Sequence, residues 1–497
     1  MKPSVSFRTF GCRLNQLETE AIAAAFETAG FGTAPFGSGS LVTVLNTCTV
    51  TGKAEQKARR EIRAALRGNP AGLVLVTGCY AEVEGEALAA LGERAVVVPG
   101  SAKDLVLDLA SRLAEAAEHG LDPVDEARAA LASASGHARD PFAFRPASFA
   151  FHARPALKVQ DGCDNACTYC RVRIARGRAV SLPVAEALAR ARALAASGAA
   201  EIVLTGVNLS QYHDPGTGAD FAALLEALLA GTDGVSYRIS SWEPDRVDGG
   251  FARAFSNPRV RAHVHLALQS GCDATLGRMA RPYRTDRVRE AGALLRGARP
   301  GFFLGVDLIL GFPGETDAEF AETLALLDEL RPAWIHAFPY SPRPGTRAAL
   351  MPGKVPERVA GERVALVMER ARAWRADYAR SRVGSETELV LEGIEGSPDV
   401  EDGLGAPDRA VAAGPGAGEA GAAGGATGSR TGTSDEFLGV LVEGLPPELD
   451  RPGVAVRVSI LEALPGGEGL GAPDLRGRFV APTRSDPLLS APGVLPL

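Results

Sequence analysis

Short β-branched runs alternate with helical stretches through the first hundred residues, and this alternation restricts the fold more than any other feature. SVSFRTF (4–10), LVTVLNT (41–47), GLVLVTG (72–78) and AVVV (95–98) read as buried parallel strands. Between them, 18–29, 53–67 and 82–91 read as helices. A βαβαβα order predicts an open parallel α/β sheet. A cysteine follows each of the first three strands almost at once: Cys12, Cys48 and Cys79. Ligands of such sheets bind beyond the carboxyl ends of the strands, so all three thiols are expected along one edge.

Residues 101–119 read as a further helix and 120–150 as a linker. A second, longer series then begins. Its strand candidates are ALKVQ (156–160), EIVLTGV (201–207), YRISSW (237–242), HVHLALQ (263–269), FFLGVDLILG (302–311) and WIHAFPY (334–340), with helical stretches at 183–196, 219–230, 284–297, 315–330 and 357–380. Six strands with interleaved helices predict a partial (βα)6 barrel, with an open six-stranded sheet as the alternative. Barrel active sites lie at the C-terminal strand ends, where Cys163, Gly206, Glu243, Gln269 and Gly311 fall. From 385 apolar and polar residues alternate between Gly and Pro turns, as in a small antiparallel barrel. That barrel is interrupted at 396–434. Within 411–430, fourteen of twenty residues are Gly or Ala, too little apolar surface to offset ordering entropy, so a disordered insertion is expected. The resulting division is 1–119, a linker at 120–150, 151–382, 383–462 and a loose tail at 463–497.

Composition narrows the class. A chain of 497 residues has room for about three domains. No apolar run approaches the ~18 residues of a membrane span. Arg8 and Gly11 precede any apolar leader segment, so a cytoplasmic location is expected. The net charge of -7 lends no support to a broadly basic nucleic-acid surface. Seven cysteines in such a chain are not a disulfide framework.

Cys163, Cys167 and Cys170 form C-x3-C-x2-C directly after the first barrel strand. Four thiolates close a [4Fe–4S] cluster, whereas three leave one iron open to a ligand. A structural zinc site needs four ligands, and the nearest extra candidate, His152, lies eleven residues before the motif. Tyr169 is placed to cover a cluster or an adenine, or simply to fill the core. Cys272 stands alone and is expected to ligate nothing.

VQDGCDNACTYC resembles the signature of the radical S-adenosylmethionine superfamily. LTGVN (204–208), SSWEP (240–244), LALQSG (266–271) and GVDLILGFPGET (305–316) resemble that superfamily's nucleotide-lining segments, in the same order. TFGCRLNQLETE, VLNTCTVTGKAEQKARR and VTGCYAE are similar to the methylthiotransferases, which carry a second three-cysteine [4Fe–4S] cluster before the radical module. Arg13, Gln16 and Glu18-Thr19-Glu20 favour the branch acting on threonylcarbamoyladenosine next to the anticodon. The other branches act on isopentenyladenosine or on a ribosomal-protein aspartate. Where the family reads C-I-I-P-x-A-R-G-x…S-R, this chain has Arg173 for the proline and Leu182 for the last arginine, keeping Arg176 and Gly177. The C-terminal barrel resembles the TRAM domain.

The resemblance implies an enzyme with two [4Fe–4S] clusters, on Cys12/Cys48/Cys79 and Cys163/Cys167/Cys170, and S-adenosylmethionine lined by Tyr169, Gly206, Glu243, Gln269 and Gly311. It implies modified tRNA as substrate, a sulfur donor, and an electron donor such as flavodoxin or ferredoxin. A non-catalytic iron–sulfur RNA-binding protein is the alternative from another class. Basic candidates for tRNA phosphates are Arg59, Arg60, Arg63 and Arg67 on one helix face, with Arg451, Arg457, Arg476 and Arg478.

Overall fold

A computed structural model describes residues 2–134, 136–145, 153–392, 430–465 and 473–483. The N-terminal run folds into an all-parallel sheet of β1 (Ser4–Thr9), β2 (Gly32–Thr33), β3 (Val42–Thr47), β4 (Leu73–Gly78) and β5 (Ala95–Val97), in the order β2-β1-β3-β4-β5. The buried runs VTVLNT and LVLVTG form its centre, where both faces are covered. One apolar cluster packs Phe26, Phe31 and Leu113 on one face, and a second packs Ile62 and Tyr80 on the other. The expected helix at 82–91 is instead two short ones, Cys79–Val83 and Gly85–Ala89, broken at Glu84.

The stretch read as a linker at 120–150 carries a helix, Pro123–Ser133. Asp122 caps it by accepting from the Val124 amide, Pro123 takes the first helical position, and Val124 and Ala127 are buried against the sheet.

The second series gives the partial barrel. Its strands are β6 (Ala156–Lys158), β9 (Glu201–Thr205), β10 (Ser236–Ile239), β11 (Ser241–Trp242), β12 (His263–Gln269), β13 (Phe303–Leu310) and β14 (Trp334–Pro339), with a side hairpin of β7 (Gln160–Asp161) and β8 (Val180–Ser181). They pair in parallel as β10-β9-β6 and β11-β12-β13-β14. The single expected strand at 237–242 is split at Ser240 into β10 and β11, which divides the arc into two ladders. Helices on the outer face bury Leu224, Leu228, Val288, Leu295 and Leu327 against these strands.

The C-terminal barrel closes as β15 (Glu386–Leu391), β16 (Arg430–Ser434), β17 (Gly439–Glu443), β19 (Leu475–Pro482) and β18 (Ala455–Ala463). Three expectations change here. Residues 430–434, assigned to the insertion, form β16, and the rest of 396–434 lies outside the described residues. Residues 475–482, assigned to the tail, form β19, which closes the barrel and removes its free edges. The barrel is not wholly antiparallel, because β17 and β19 run in parallel. Phe437 and Leu438, in the turn between β16 and β17, join the core that seals this barrel onto Phe303 of β13. Among the described residues no helix is long and apolar enough to cross a membrane.

Candidate functional site

Cys12, Cys48 and Cys79 stand at the carboxyl ends of β1, β3 and β4. Cys12 takes the position just before the helix Arg13–Thr28, Cys48 follows β3 directly, and Cys79 opens the helix Cys79–Val83. Two glycines make this convergence sterically feasible. Gly11 adopts φ +99, and a Cβ there would meet the Cys48 Sγ at 2.7 Å. Gly78 adopts φ +103, and a Cβ there would meet the Thr47 carbonyl oxygen at 2.3 Å. Cys48 is buried, and the other two are half-buried.

The second triad lies on the loop after β7. Cys163, Cys167 and Cys170 are all half-buried. Burial pushes the Cys48 and Cys170 thiols up to about 12, and it raises Cys12 and Cys163 as well. Bare thiolates are therefore disfavoured at these positions without a cation to share. Yet hydrogen-bond donors already surround the sulfurs. The Val50 amide reaches Cys48 Sγ at 3.4 Å, the Val172 amide reaches Cys170 Sγ at 3.4 Å, and Asn208 Nδ2 reaches Cys163 Sγ at 3.6 Å. Arg281 Nη1 donates to Cys167 Sγ at 3.1 Å, and Arg176 Nε donates to Cys79 Sγ at 3.3 Å. Donors aimed at thiolate sulfur fit a cluster that spreads that negative charge.

Arg176 and Arg171 join the two triads. Arg176 lies six residues after Cys170, at the end of the helix Val172–Arg176, which packs against Cys79–Val83. Besides Cys79, its guanidinium donates to Glu18 Oε1 at 2.9 Å, to Asn15 Oδ1 at 2.9 Å and to Asp161. Glu18 also receives Lys103 Nζ at 2.5 Å and Lys158 Nζ at 3.1 Å. Burial alone would raise the Glu18 carboxyl, but Arg176 first and then the two lysines hold it well below the usual carboxylate range. Arg171, next to Cys170, reaches Glu55 at 3.2 Å and Glu84 at 2.9 Å. Glu55 in turn accepts from Arg343 and from the Thr49 hydroxyl, the residue after Cys48.

The departures from the family pattern sit quietly in this frame. Arg173, in the place of a proline, is exposed, and Leu182, in the place of an arginine, is buried in the barrel core.

The five residues expected to line a nucleotide gather round the mouth of the partial barrel. Tyr169 packs edge-on against Phe312 at 6.4 Å. Glu243 is buried, pairs with Arg281 and accepts from Asn165 Nδ2 at 3.4 Å. Gln269 ends β12 in the left-handed region at φ 63, where the β12–β13 register slips. A non-glycine residue there is strained and depends on its surroundings to hold it. Gly311 follows β13, and its amide donates to Glu315 Oε2 at 2.6 Å. Gly206 follows β9 beside Gln160, which accepts from the Asn208 amide at 2.8 Å.

Known proteins match both halves of this arrangement. Residues 4–100 match a family model described as uncharacterized protein family UPF0004, and residues 157–327 match the radical SAM superfamily. The threonylcarbamoyladenosine tRNA methylthiotransferase MtaB of Treponema pallidum is 41% identical, covering 78% of this chain and 91% of its own length. The chain belongs to the radical S-adenosylmethionine methylthiotransferase family. MtaB of Thermotoga maritima is 34% identical over 78% of this chain and 86% of its own length. The tRNA-2-methylthio-N(6)-dimethylallyladenosine synthase of Sorangium cellulosum is 35% identical over 79% and 82%. Radical SAM membership brings S-adenosylmethionine and a [4Fe–4S] cluster with it.

Among the expected phosphate contacts, Arg59 is turned inward to the Tyr80 hydroxyl at 2.7 Å, while Arg60 is exposed and pairs with Glu61. Sequence reading did not find Glu55, Arg171, Arg343, Arg281, or the lysines on Glu18. Cys272 is buried, and burial raises its thiol.

Proposed function

We propose that this enzyme transfers a methylthio group to carbon 2 of N6-threonylcarbamoyladenosine in tRNA, using two [4Fe–4S] clusters and S-adenosylmethionine. The observation that carries the reading is the pair of three-cysteine groups, each met by hydrogen-bond donors and tied to one another by Arg176 and Arg171. Cys163, Cys167 and Cys170 would hold the cluster that splits S-adenosylmethionine reductively, which supplies a radical able to attack an inert aromatic C–H. Cys12, Cys48 and Cys79 would hold the second cluster, which would supply a carrier for the incoming sulfur. The relatives named for threonylcarbamoyladenosine and the Arg13, Gln16 and Glu18-Thr19-Glu20 motif support that substrate over isopentenyladenosine.

The chain's own residues have separable tasks in this scheme. Arg281 holds Cys167 and Glu243 together at the nucleotide mouth. Tyr169, Gly206, Gln269 and Gly311 shape that mouth. Asn208 donates to Cys163. Arg176 neutralises charge around Cys79 and fixes the sheet edge to the barrel loop. An electron donor, such as flavodoxin or ferredoxin, and a sulfur donor complete the reaction.

The test is mass spectrometry of tRNA nucleosides from cells with and without the gene. Loss of 2-methylthio-N6-threonylcarbamoyladenosine, with its unmethylthiolated precursor accumulating, is the expected result. Loss of the isopentenyl product, or no change in tRNA, contradicts the substrate assignment.

A further inference from the structure

Inside the arc, below the nucleotide mouth, three side chains on adjacent strands meet at a place the scheme above does not use. They are His265 on β12, Asp307 on β13 and His336 on β14. Asp307 stands opposite His336 in the β13–β14 ladder, and His265 stands opposite Gly305, two residues before Asp307. A Cβ at position 305 would meet His265 Nδ1 at 2.5 Å, so glycine there lets the imidazole lie across β13.

One donor atom from each residue lies within 4.8 Å of the others. His265 Nε2 is 3.0 Å from Asp307 Oδ1, and His336 Nδ1 is 3.2 Å from the same oxygen. Four-coordinate zinc with bonds of ~2.0–2.1 Å sets its ligand atoms about 3.3 Å apart, close to these separations. His265 Nε2 approaches the carboxylate without the alignment of a hydrogen bond, and it is buried with no hydrogen-bond partner. A buried donor atom left in that state is costly unless something else occupies it.

The Asp307 side chain is 25% exposed against 9% for His265 and 12% for His336, so the cluster opens on its carboxylate side.

We propose that His265, Asp307 and His336 form a site for a divalent transition metal, of the zinc, manganese or iron(II) class. Two imidazoles and one carboxylate are the donor set those ions take. Three protein ligands leave at least one position for an oxygen ligand from the open side of the arc. The site stands whichever nucleoside the enzyme modifies, because it rests on these three strands alone.

The test loads the cluster-containing protein with zinc by equilibrium dialysis and reads bound zinc by mass spectrometry. X-ray absorption at the zinc edge then identifies the ligands. The expected result is about one zinc per chain with nitrogen and oxygen neighbours near ~2.0 Å and no sulfur shell near ~2.3 Å. Asp307→Asn and His336→Gln are each expected to weaken zinc binding by at least ~tenfold. Both must keep the wild-type iron content and circular dichroism; if either does not fold, His265→Gln replaces it. A sulfur shell, indicating zinc on the cysteines, overturns the proposal. So does zinc uptake unchanged by the variants, or no uptake at all, which would leave the three residues an internal polar layer only.

Discussion

The two cysteine triads reach similar surroundings by opposite routes. The barrel triad is contained in eight consecutive residues, Cys163 to Cys170, on one loop. The sheet triad is collected from three strand ends spread over Cys12 to Cys79, and two left-handed glycines are needed to bring the ends together. A local triad needs little chain closure, so its geometry survives wherever the loop is anchored. A distributed triad exists only while the sheet and its contacts with the barrel are intact. That contrast fits the layout of the boundary, where Glu18 and Glu55 on the sheet side meet Arg176, Arg171 and Arg343 from the barrel side.

The largest expected effect removes the local triad altogether. Anaerobically reconstituted wild-type protein should carry about eight irons, and a Cys163/Cys167/Cys170 triple alanine variant about four, as two four-iron clusters require. The variant should also cleave no S-adenosylmethionine. An unchanged iron count would remove the basis for treating the two triads as separate sites.

Arg176→Gln probes the boundary itself. It takes one cation from Glu18 and Asp161, both buried, and removes the donor to Cys79. Breaking a buried charge cluster costs about 3 kcal/mol or more, so thermal unfolding should shift down clearly. Iron should be lost from the sheet triad before the barrel triad. Equal loss from both would mean that Arg176 supports the fold in general and not the distributed site.

A smaller effect appears in acid. Burial would raise Asp161, but Lys158, Arg176 and Arg139 hold it at about 2, and Glu18 is likewise depressed. Carboxylates depressed on folding stabilise the protein above their unfolded values near 4, and that stability is lost as pH falls below them. The melting temperature should therefore change little through these groups from pH 8 to pH 5 and fall steadily below about pH 4. Asp161→Asn should flatten the acid slope. An unaltered slope would place the acid sensitivity elsewhere.

The sequence displayed the local triad openly and the distributed one indirectly. C-x3-C-x2-C is visible without any structure, whereas Cys12, Cys48 and Cys79 become one group only once SVSFRT, VTVLNT and LVLVTG are read as parallel strands. The bridges between the triads had no such pattern. Glu55 is 116 residues from Arg171 and 288 from Arg343, and a single glutamate on a charged helix reads as solvated until its partners arrive. His265, Asp307 and His336 were hidden for a similar reason, because each is a polar residue in a mostly apolar strand on a separate βα unit. The strand β16 escaped because RTGTS buries Arg430, Gly432 and Ser434, giving no apolar alternation to see. The strand β19 escapes because a segment after a Gly- and Pro-rich stretch reads as a tail, although Leu475 is buried in the barrel.

The proposed division of labour between the triads meets its most direct test in Cys48→Ala. With the barrel triad and the nucleotide mouth untouched, this protein should still convert S-adenosylmethionine to 5′-deoxyadenosine when reduced, while transferring no methylthio group to tRNA. Cys167→Ala should lose both reactions. If Cys48→Ala abolished nucleotide cleavage while the barrel cluster remained spectroscopically intact, the two triads would not have the separate roles assigned to them.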